Sequence, residues 1–187
     1  MIVLLPDMIL KGPQASSNAP LPAIKSDLHE FYLSAGVPPE KLLLGLPLYG
    51  YSFPCEENYT ILSMQTGAAA AGSANRNAPP CRVRPTTAVV GWQIGLGTIF
   101  EKRVAGLATH AGRDVASGSA FLEYMETRHH PLGRHQVWFE DAQSLVLKGR
   151  DLRSRLGLAG VAIWSADALW NAPEVDGQSI WEALAQR

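Results

Sequence analysis

Lys41-Leu42-Leu43-Leu44-Gly45-Leu46-Pro47-Leu48-Tyr49 is a short apolar run bounded by turn residues, the pattern of a strand buried on both faces of a parallel sheet. Proline has no amide hydrogen for the ladder, so pairing is expected to weaken toward Pro47, where loop geometry would begin. Upstream, Ala23 to Ala35 carries Ile24, Leu28, Phe31, Tyr32 and Ala35 at helical spacing, and Gly36 with Pro38-Pro39 ends it. Downstream, His135-Gln136-Val137-Trp138-Phe139 is a short β-type run. Asp141 is placed as the N-cap of a helix through Leu145, Val146, Leu152 and Leu156. Gly157 and Gly160 bracket the turn into Val161-Ala162-Ile163-Trp164, a second buried strand, and the opening Ile2 to Leu5 run reads the same way. A last helix, Asp176 to Ala185, sets Ile180, Trp181 and Leu184 on one face. Buried strands alternating with amphipathic helices specify an α/β chain with parallel strands.

Between about residues 52 and 134 the pattern loosens into what reads as an irregular insertion. It holds an Ala/Gly/Ser/Asn stretch, Gly67 to Asn77, and a possible helix from Thr86 to Thr109 interrupted by Gly91, Gly95 and Gly97. Gly95-Leu96-Gly97 is not a nucleotide loop, because the third glycine of GxGxxG would fall on Phe100 and no strand is expected before it.

Composition removes several classes of function. Sixteen Lys plus Arg against seventeen Asp plus Glu leave a formal charge of -1, so no broad positive field exists to hold a polyphosphate and nucleic acid is excluded as a partner. The longest apolar stretches are four or five residues, far below the roughly 20 that cross a membrane as a helix. The first residues meet Pro6 and Asp7 before an apolar h-region can form, and do not read as a signal peptide. At 187 residues the chain is also shorter than a complete (β/α)8 barrel, typically about 250.

Cys55 and Cys81 lie in polar, Pro- and Gly-containing surroundings with no CxxC pair and no histidine at zinc-ligand spacing. They are either free thiols or a bridge. The bridge, closing 25 intervening residues, would stabilise by about 3 kcal/mol and is the favoured reading. Asn58-Tyr59-Thr60, inside that loop, is a glycan acceptor triplet that points weakly to the secretory route.

In parallel α/β barrels chemistry sits at the C-terminal ends of strands, which singles out Asp7, Tyr49 and Trp164, with Ser165 and Asp167 following. An aromatic face bordered by hydrogen-bonding groups suits a sugar, whose C–H bonds make an apolar face and whose hydroxyls need polar partners. The competing reading of Trp164 is an ordinary core tryptophan.

Several segments in register resemble glycoside hydrolase family 18: Ser17-Asn18-Ala19-Pro20, Gly45-Leu46-Pro47-Leu48-Tyr49-Gly50-Tyr51, Ala78-Pro79-Pro80-Cys81, His135 to Ser144 with Lys148, and Leu158 to Asp167. Arg82 to Gly118 matches poorly. The resemblance implies the C-terminal part of a TIM barrel, about three parallel strands, forming one unit over 1–187 with an insertion at about 52–134. It implies a glycosidase that hydrolyses β-linked N-acetylglucosamine oligosaccharides with the substrate's own N-acetyl group as nucleophile, an exception to the two-carboxylate scheme. The family's general acid is the glutamate of a DxxDxDxE strand, and that motif is absent from these 187 residues, so no catalytic residue is assigned. The remaining acid pairs, Glu56/Glu57, Glu123/Glu126, Glu140/Asp141 and Glu174/Asp176, have the wrong spacing and are expected to be solvated on loops or helices.

By the same resemblance, Asp7 would orient the reacting N-acetyl group, although Pro6 stands where the family has a tyrosine. Trp164 would floor the sugar site, Tyr49 would contribute to it, Cys55 and Cys81 would be bridged, and the parent protein would be lysosomal or secreted. No cofactor and no metal are implied, and His129, His130 and His135 are expected at the surface. The expected partners are the oligosaccharide and the missing N-terminal half of the barrel. The rival to a glycosidase is a non-catalytic, lectin-like binder of chitin oligosaccharides; a chain with no function of its own is a third reading.

Overall fold

A computed structural model describes residues 2–4, 14–56, 81–84, 92–128 and 132–185. Asp7, Asn58, His129 and His130 lie outside the described residues. Three strands, β1 (Ile2–Leu4), β2 (Leu43–Pro47) and β8 (Gly160–Trp164), form a parallel sheet in the order β1-β2-β8. Its register runs from Ile2↔Leu43 on one side of β2 and from Leu43↔Gly160 to Pro47↔Trp164 on the other. Leu44 and Leu46, which share one face of the central strand, are fully buried, while Leu43 and Pro47 on the opposite face are half-buried, so the strand is not sealed on both faces as its apolar run led one to expect.

Pairing does not weaken at Pro47. The Leu48 amide donates to the Trp164 carbonyl at 2.8 Å. Successive amides along a strand point to opposite sides, so the position without a hydrogen faces β1 and not β8.

Helix α1 (Leu21–Asp27) continues into a π-helical turn, Leu28–Leu33. Before β8 runs α3 (Ala142–Leu156), N-capped by Asp141, whose carboxylate accepts from the Ser144 amide at 2.9 Å. Gly157 ends it with φ 71°, a left-handed geometry that glycine adopts without a Cβ penalty. After β8 comes α4 (Glu174–Ala185). Ile180 and Ala183 are its buried positions, and Trp181, expected on the inner face, is 50% exposed.

The segment expected to be an irregular insertion holds an antiparallel sheet of five strands. These are β3 (Tyr49–Pro54), β4 (Trp92–Gly95), β5 (Ala108–Arg113), β6 (Ala120–Glu126) and β7 (Gly133–Phe139), in the order β4-β3-β7-β6-β5. The His135–Phe139 run therefore belongs to this sheet and not to the parallel one. One partner is distant in sequence, Tyr51↔Trp138 joining it to β3, and the other is the strand just before it, Ala120↔Phe139 to Glu126↔Gly133 joining it to β6. The long helix expected over Thr86 to Thr109 is, within the described residues, β4, then α2 (Leu96–Val104), then β5.

Contrary to expectation, a strand does precede Gly95-Leu96-Gly97, but the glycines serve packing. A Cβ on Gly95 would stand 2.9 Å from the Ala168 carbonyl oxygen, and one on Gly97 would overlap that of Trp170. The inserted layer is thus pressed against the loop that follows β8.

One apolar core joins Leu42, Leu44, Leu46 and Leu48 to residues of both sheets and the helices; a smaller one gathers Phe53, Phe121, Trp138 and the Cys55–Cys81 pair. Among the described residues no helix is long and apolar enough to cross a membrane.

Candidate functional site

The two sheets meet where β2 passes through Leu48 into β3. Leu48 is fully buried, its amide tied to Trp164 and its carbonyl accepting from the Leu96 amide at 3.2 Å. This joint sets the C-terminal edge of the parallel sheet. Trp164 is the last residue of β8, opposite Pro47 in register, and is 57% exposed. It is therefore not a sealed core tryptophan. The Trp164–Ser165 peptide is cis, and the Ser165 hydroxyl donates to the Asp167 carboxylate in the turn that follows.

Tyr49 is the first residue of β3, two positions beyond the residue paired with Trp164, and is partly buried. Its ring meets that of Tyr51 edge-on at 5.9 Å, and Tyr51 in turn lies 6.4 Å from Phe53. Alternate residues of a strand share a face, so β3 carries an aromatic row from the joint into the inserted sheet's core. Its carbonyl accepts from Asn18 Nδ2 at 3.0 Å. Of the three residues expected at the site, Tyr49 and Trp164 thus share one end of the parallel sheet, while Asp7 lies outside the described residues.

Behind this edge lies a polar cluster to which sequence reasoning assigned no role. Lys148 Nζ donates to Ala19 O at 2.6 Å, Ser119 Oγ at 2.7 Å and Glu140 Oε1 at 2.6 Å, with both ionic side chains fully buried. Three acceptors match the three hydrogens of an ammonium. Burial pushes the Glu140 carboxyl up and the Lys148 ammonium down from their ordinary ranges, and their mutual attraction opposes both shifts. Ser119 donates its one hydrogen to Glu140 at 2.7 Å, so the 2.5 Å contact with Ser17 is donated by Ser17. Among the described residues, Glu140 Oε2 and Asn18 Oδ1 are buried without a hydrogen-bond partner. Beside the cluster, Arg113 Nη2 donates to both Asp141 oxygens at 2.7 and 2.6 Å.

The expectation of solvated acids therefore fails at Glu140. Glu123 and Glu126 also differ, lying on a strand, with Glu123 paired to Arg134 and Glu126 to Lys102. His135 is likewise buried, 3.1 Å from Ser52 Oγ and packed on Tyr124. Cys55 and Cys81 form a disulfide, with Cα atoms 5.7 Å apart. Among the described residues no three His, Cys, Asp or Glu side chains gather as a metal site.

Parallel strands with an aromatic at the C-terminal edge, joined to an inserted antiparallel sheet, agree with the family model for glycosyl hydrolases family 18, which matches residues 10–168. The chain belongs to this family. Among named relatives it is similar to di-N-acetylchitobiase of Mus musculus, 27% identical over 183 residues, covering 92% of this chain and 44% of the relative. It is also similar to probable di-N-acetylchitobiase 1 of Dictyostelium discoideum, 27% identical over 199 residues, covering 98% and 48%. The chain thus spans about half the length of these relatives.

Two solved structures share its fold. A class V chitinase from Nicotiana tobaccum in complex with NAG4 superimposes with a TM-score of 0.65 at 20% identity, over 99% of this chain and 48% of that one. A chitinase from Chromobacterium violaceum gives 0.60 at 21% identity, over 100% and 45%.

Proposed function

We propose that the chain is the distal part of a family 18 TIM barrel and forms part of the binding surface for β-linked N-acetylglucosamine oligosaccharides in a glycosidase of the chitinase or chitobiase type. The observation that carries the proposal is Trp164, more than half exposed at the C-terminal end of a parallel strand, where barrel enzymes hold their substrates. An indole there offers a flat apolar face to a pyranose ring. Tyr49 lines the same edge, and Asp7 orients the N-acetyl group whose carbonyl oxygen attacks the anomeric carbon. Proton donation to the leaving oxygen needs an acid at the barrel mouth. The DxxDxDxE strand is not among the 187 residues, so the acid comes from a complementary N-terminal half. Support for that partner comes from β8, an edge of its sheet among the described residues, and from Trp181 and Val175, exposed on α4. An open strand edge is a template for pairing.

The alternative reading is a lectin-like chain that binds these sugars without cleaving them. The disulfide supports lysosomal or secreted routing, since such bridges persist in oxidising compartments. The test is to titrate the 187-residue chain with N-acetylglucosamine tetramer while following tryptophan fluorescence, and to assay the same sample for released sugar. Saturable quenching without hydrolysis is expected. No saturable response overturns the binding role, and turnover abolished by changing one of the chain's own carboxylates overturns the assignment of the acid.

A further inference from the structure

The connection that leaves β8 at Trp164 carries three exposed side chains on a well-seated backbone. Trp164 is 57% and Trp170 79% exposed, and Asp167 between them is exposed as well. Residues Ala166–Leu169 form a short 3₁₀ turn. Around it the Ala168 amide donates to the Ser165 carbonyl at 3.1 Å, that of Trp170 to Asp167 at 2.9 Å and that of Ala172 to Leu169 at 2.9 Å. Ala168, Leu169 and Ala172 pack against the main core, and the turn rests on the inserted layer where Gly95 and Gly97 approach the Ala168 and Trp170 carbonyls. The inward residues are thus covered, while the two largest side chains of the connection stay in water.

In a 3₁₀ turn the side chains of residues i and i+3 leave the chain on the same side. The bond from the Trp170 amide to the Asp167 carbonyl is such a bond, and Trp170 keeps φ -53°, so its Cβ and that of Asp167 share the outer side of the turn. The Asp167 carboxylate is itself tied down, accepting from the Ser165 hydroxyl. An ionised carboxylate has room for about four donors, so this one retains acceptor capacity beside the Trp170 indole. Among the described residues the rings of Trp164 and Trp170 make no contact with each other, and each offers its own plane.

We propose that Trp170 and Asp167 form a second sugar subsite beside Trp164, which takes a further pyranose ring of a longer N-acetylglucosamine oligosaccharide, the indole as stacking plane and the carboxylate as hydroxyl acceptor. The inference rests on the sugar-binding function proposed above and extends it to chain length. An apolar plane with an acceptor at its rim matches a pyranose, whose C–H face stacks while its hydroxyls need partners. A docking protein fits the same surface less well, because interface cores are depleted in charged residues and this indole has a carboxylate next to it. Trp164 ends the strand whose connection carries Trp170, so the two planes follow one another from the same strand end.

The test titrates N-acetylglucosamine tetramer and dimer into the parent chain, Trp170→Ala and Asp167→Ala by calorimetry, with circular dichroism and sedimentation on each. The Trp170 ring is exposed and its amide bond survives in alanine, so the variant should fold; Trp170→Leu, apolar but without a plane, takes its place if it does not. The tetramer should bind about tenfold more weakly to Trp170→Ala and to Asp167→Ala, through loss of the stacking plane and of one charged hydrogen bond. The dimer, held at Trp164, should bind all three alike. Unchanged tetramer affinity in Trp170→Ala overturns the subsite and leaves the proposed function standing. Equal losses for dimer and tetramer place Trp170 in the Trp164 site and overturn a second one. A dimeric parent that becomes monomeric in Trp170→Ala assigns the ring to another copy of the chain, which also overturns it. If the parent binds neither sugar, the proposed function falls and the subsite falls with it.

Discussion

Replacing Lys148 by methionine probes the buried cluster most sharply. The substitution keeps the length of the side chain but leaves the Glu140 carboxylate, fully buried, without its cation, and strips a donor from Ala19 O and Ser119 Oγ. Breaking a buried ion pair from one side costs about 3–5 kcal/mol. For a chain of this length each kcal/mol lowers Tm by about 2–4 °C, so the melting point should fall by about 6–20 °C. The loss should also depend on pH. With Lys148 gone, only burial and the serine hydrogen bonds act on Glu140, and its folded pKa moves further above the ordinary 4.5. A raised folded pKa means that the native state holds a proton the unfolded chain releases. Its stabilising contribution is complete below the unfolded pKa and is lost as pH rises through the folded one. The gap between parent and variant in urea unfolding should therefore widen as pH rises above the unfolded carboxyl's 4.5 and narrow as pH falls toward it. Pairing the change with Glu140→Leu should recover most of the loss, because an apolar pair removes both desolvation costs. A Lys148→Met loss below about 1 kcal/mol at neutral pH, or one that does not change with pH, would refute the account, since that is the size expected of an exposed pair.

Removing the Cys55–Cys81 bridge by paired serine substitutions should cost about 3.5 kcal/mol by loop-closure entropy for a separation of 26 residues. Non-reducing peptide mapping should recover one linked pair, whereas full labelling of both thiols in the native protein would contradict the bridge. Gly97→Ala should destabilise by about 1–3 kcal/mol, because the added methyl meets the Trp170 carbonyl oxygen and α2 must shift away from the loop after β8; an unchanged urea midpoint would show that α2 is not seated there. Asn58, expressed in a eukaryotic secretory host, should carry a glycan, and a mass unaltered by glycosidase treatment counts against that routing.

The strands legible in the sequence are those whose burial leaves a local trace. Leu42 to Leu48 is an apolar run whose alternate leucines are buried, Val161 to Ile163 is an apolar run that is only partly buried, and Asp141 is a readable cap because its bond to Ser144 is three residues long. The inserted sheet leaves little such trace. Ala108–Arg113, an edge strand reading ATHAGR with alternating partial exposure, has neither a strong apolar alternation nor β-branched enrichment beyond one threonine, and β4 with α2 merged into a single apparent helix. Pairings such as Ala120↔Phe139 and Tyr51↔Trp138 are properties of the assembled sheet. The strand-end rule picked out Tyr49 and Trp164, which lie at one end of the parallel sheet. Burial of Glu140 went unforeseen because its partners, Ser119 and Lys148, come from another strand and from a helix; Asp141 beside it remains partly exposed, so an acidic dipeptide at a strand end looks solvated in one dimension. Asn18 was visible only as part of a matching segment, since its partner is a backbone carbonyl 31 residues away.

The most direct test of the proposed sugar-binding edge is a calorimetric titration of N-acetylglucosamine tetramer into the parent chain and into Trp164→Ala, with circular dichroism to establish that both are folded. Trp164 is exposed, so its removal should leave stability within about 0.5 kcal/mol of the parent. Loss of the stacking surface, worth about 1 kcal/mol beyond the apolar area it covers, should weaken binding by about tenfold. Equal affinities for parent and variant would contradict the assignment of this strand end as the sugar-binding edge.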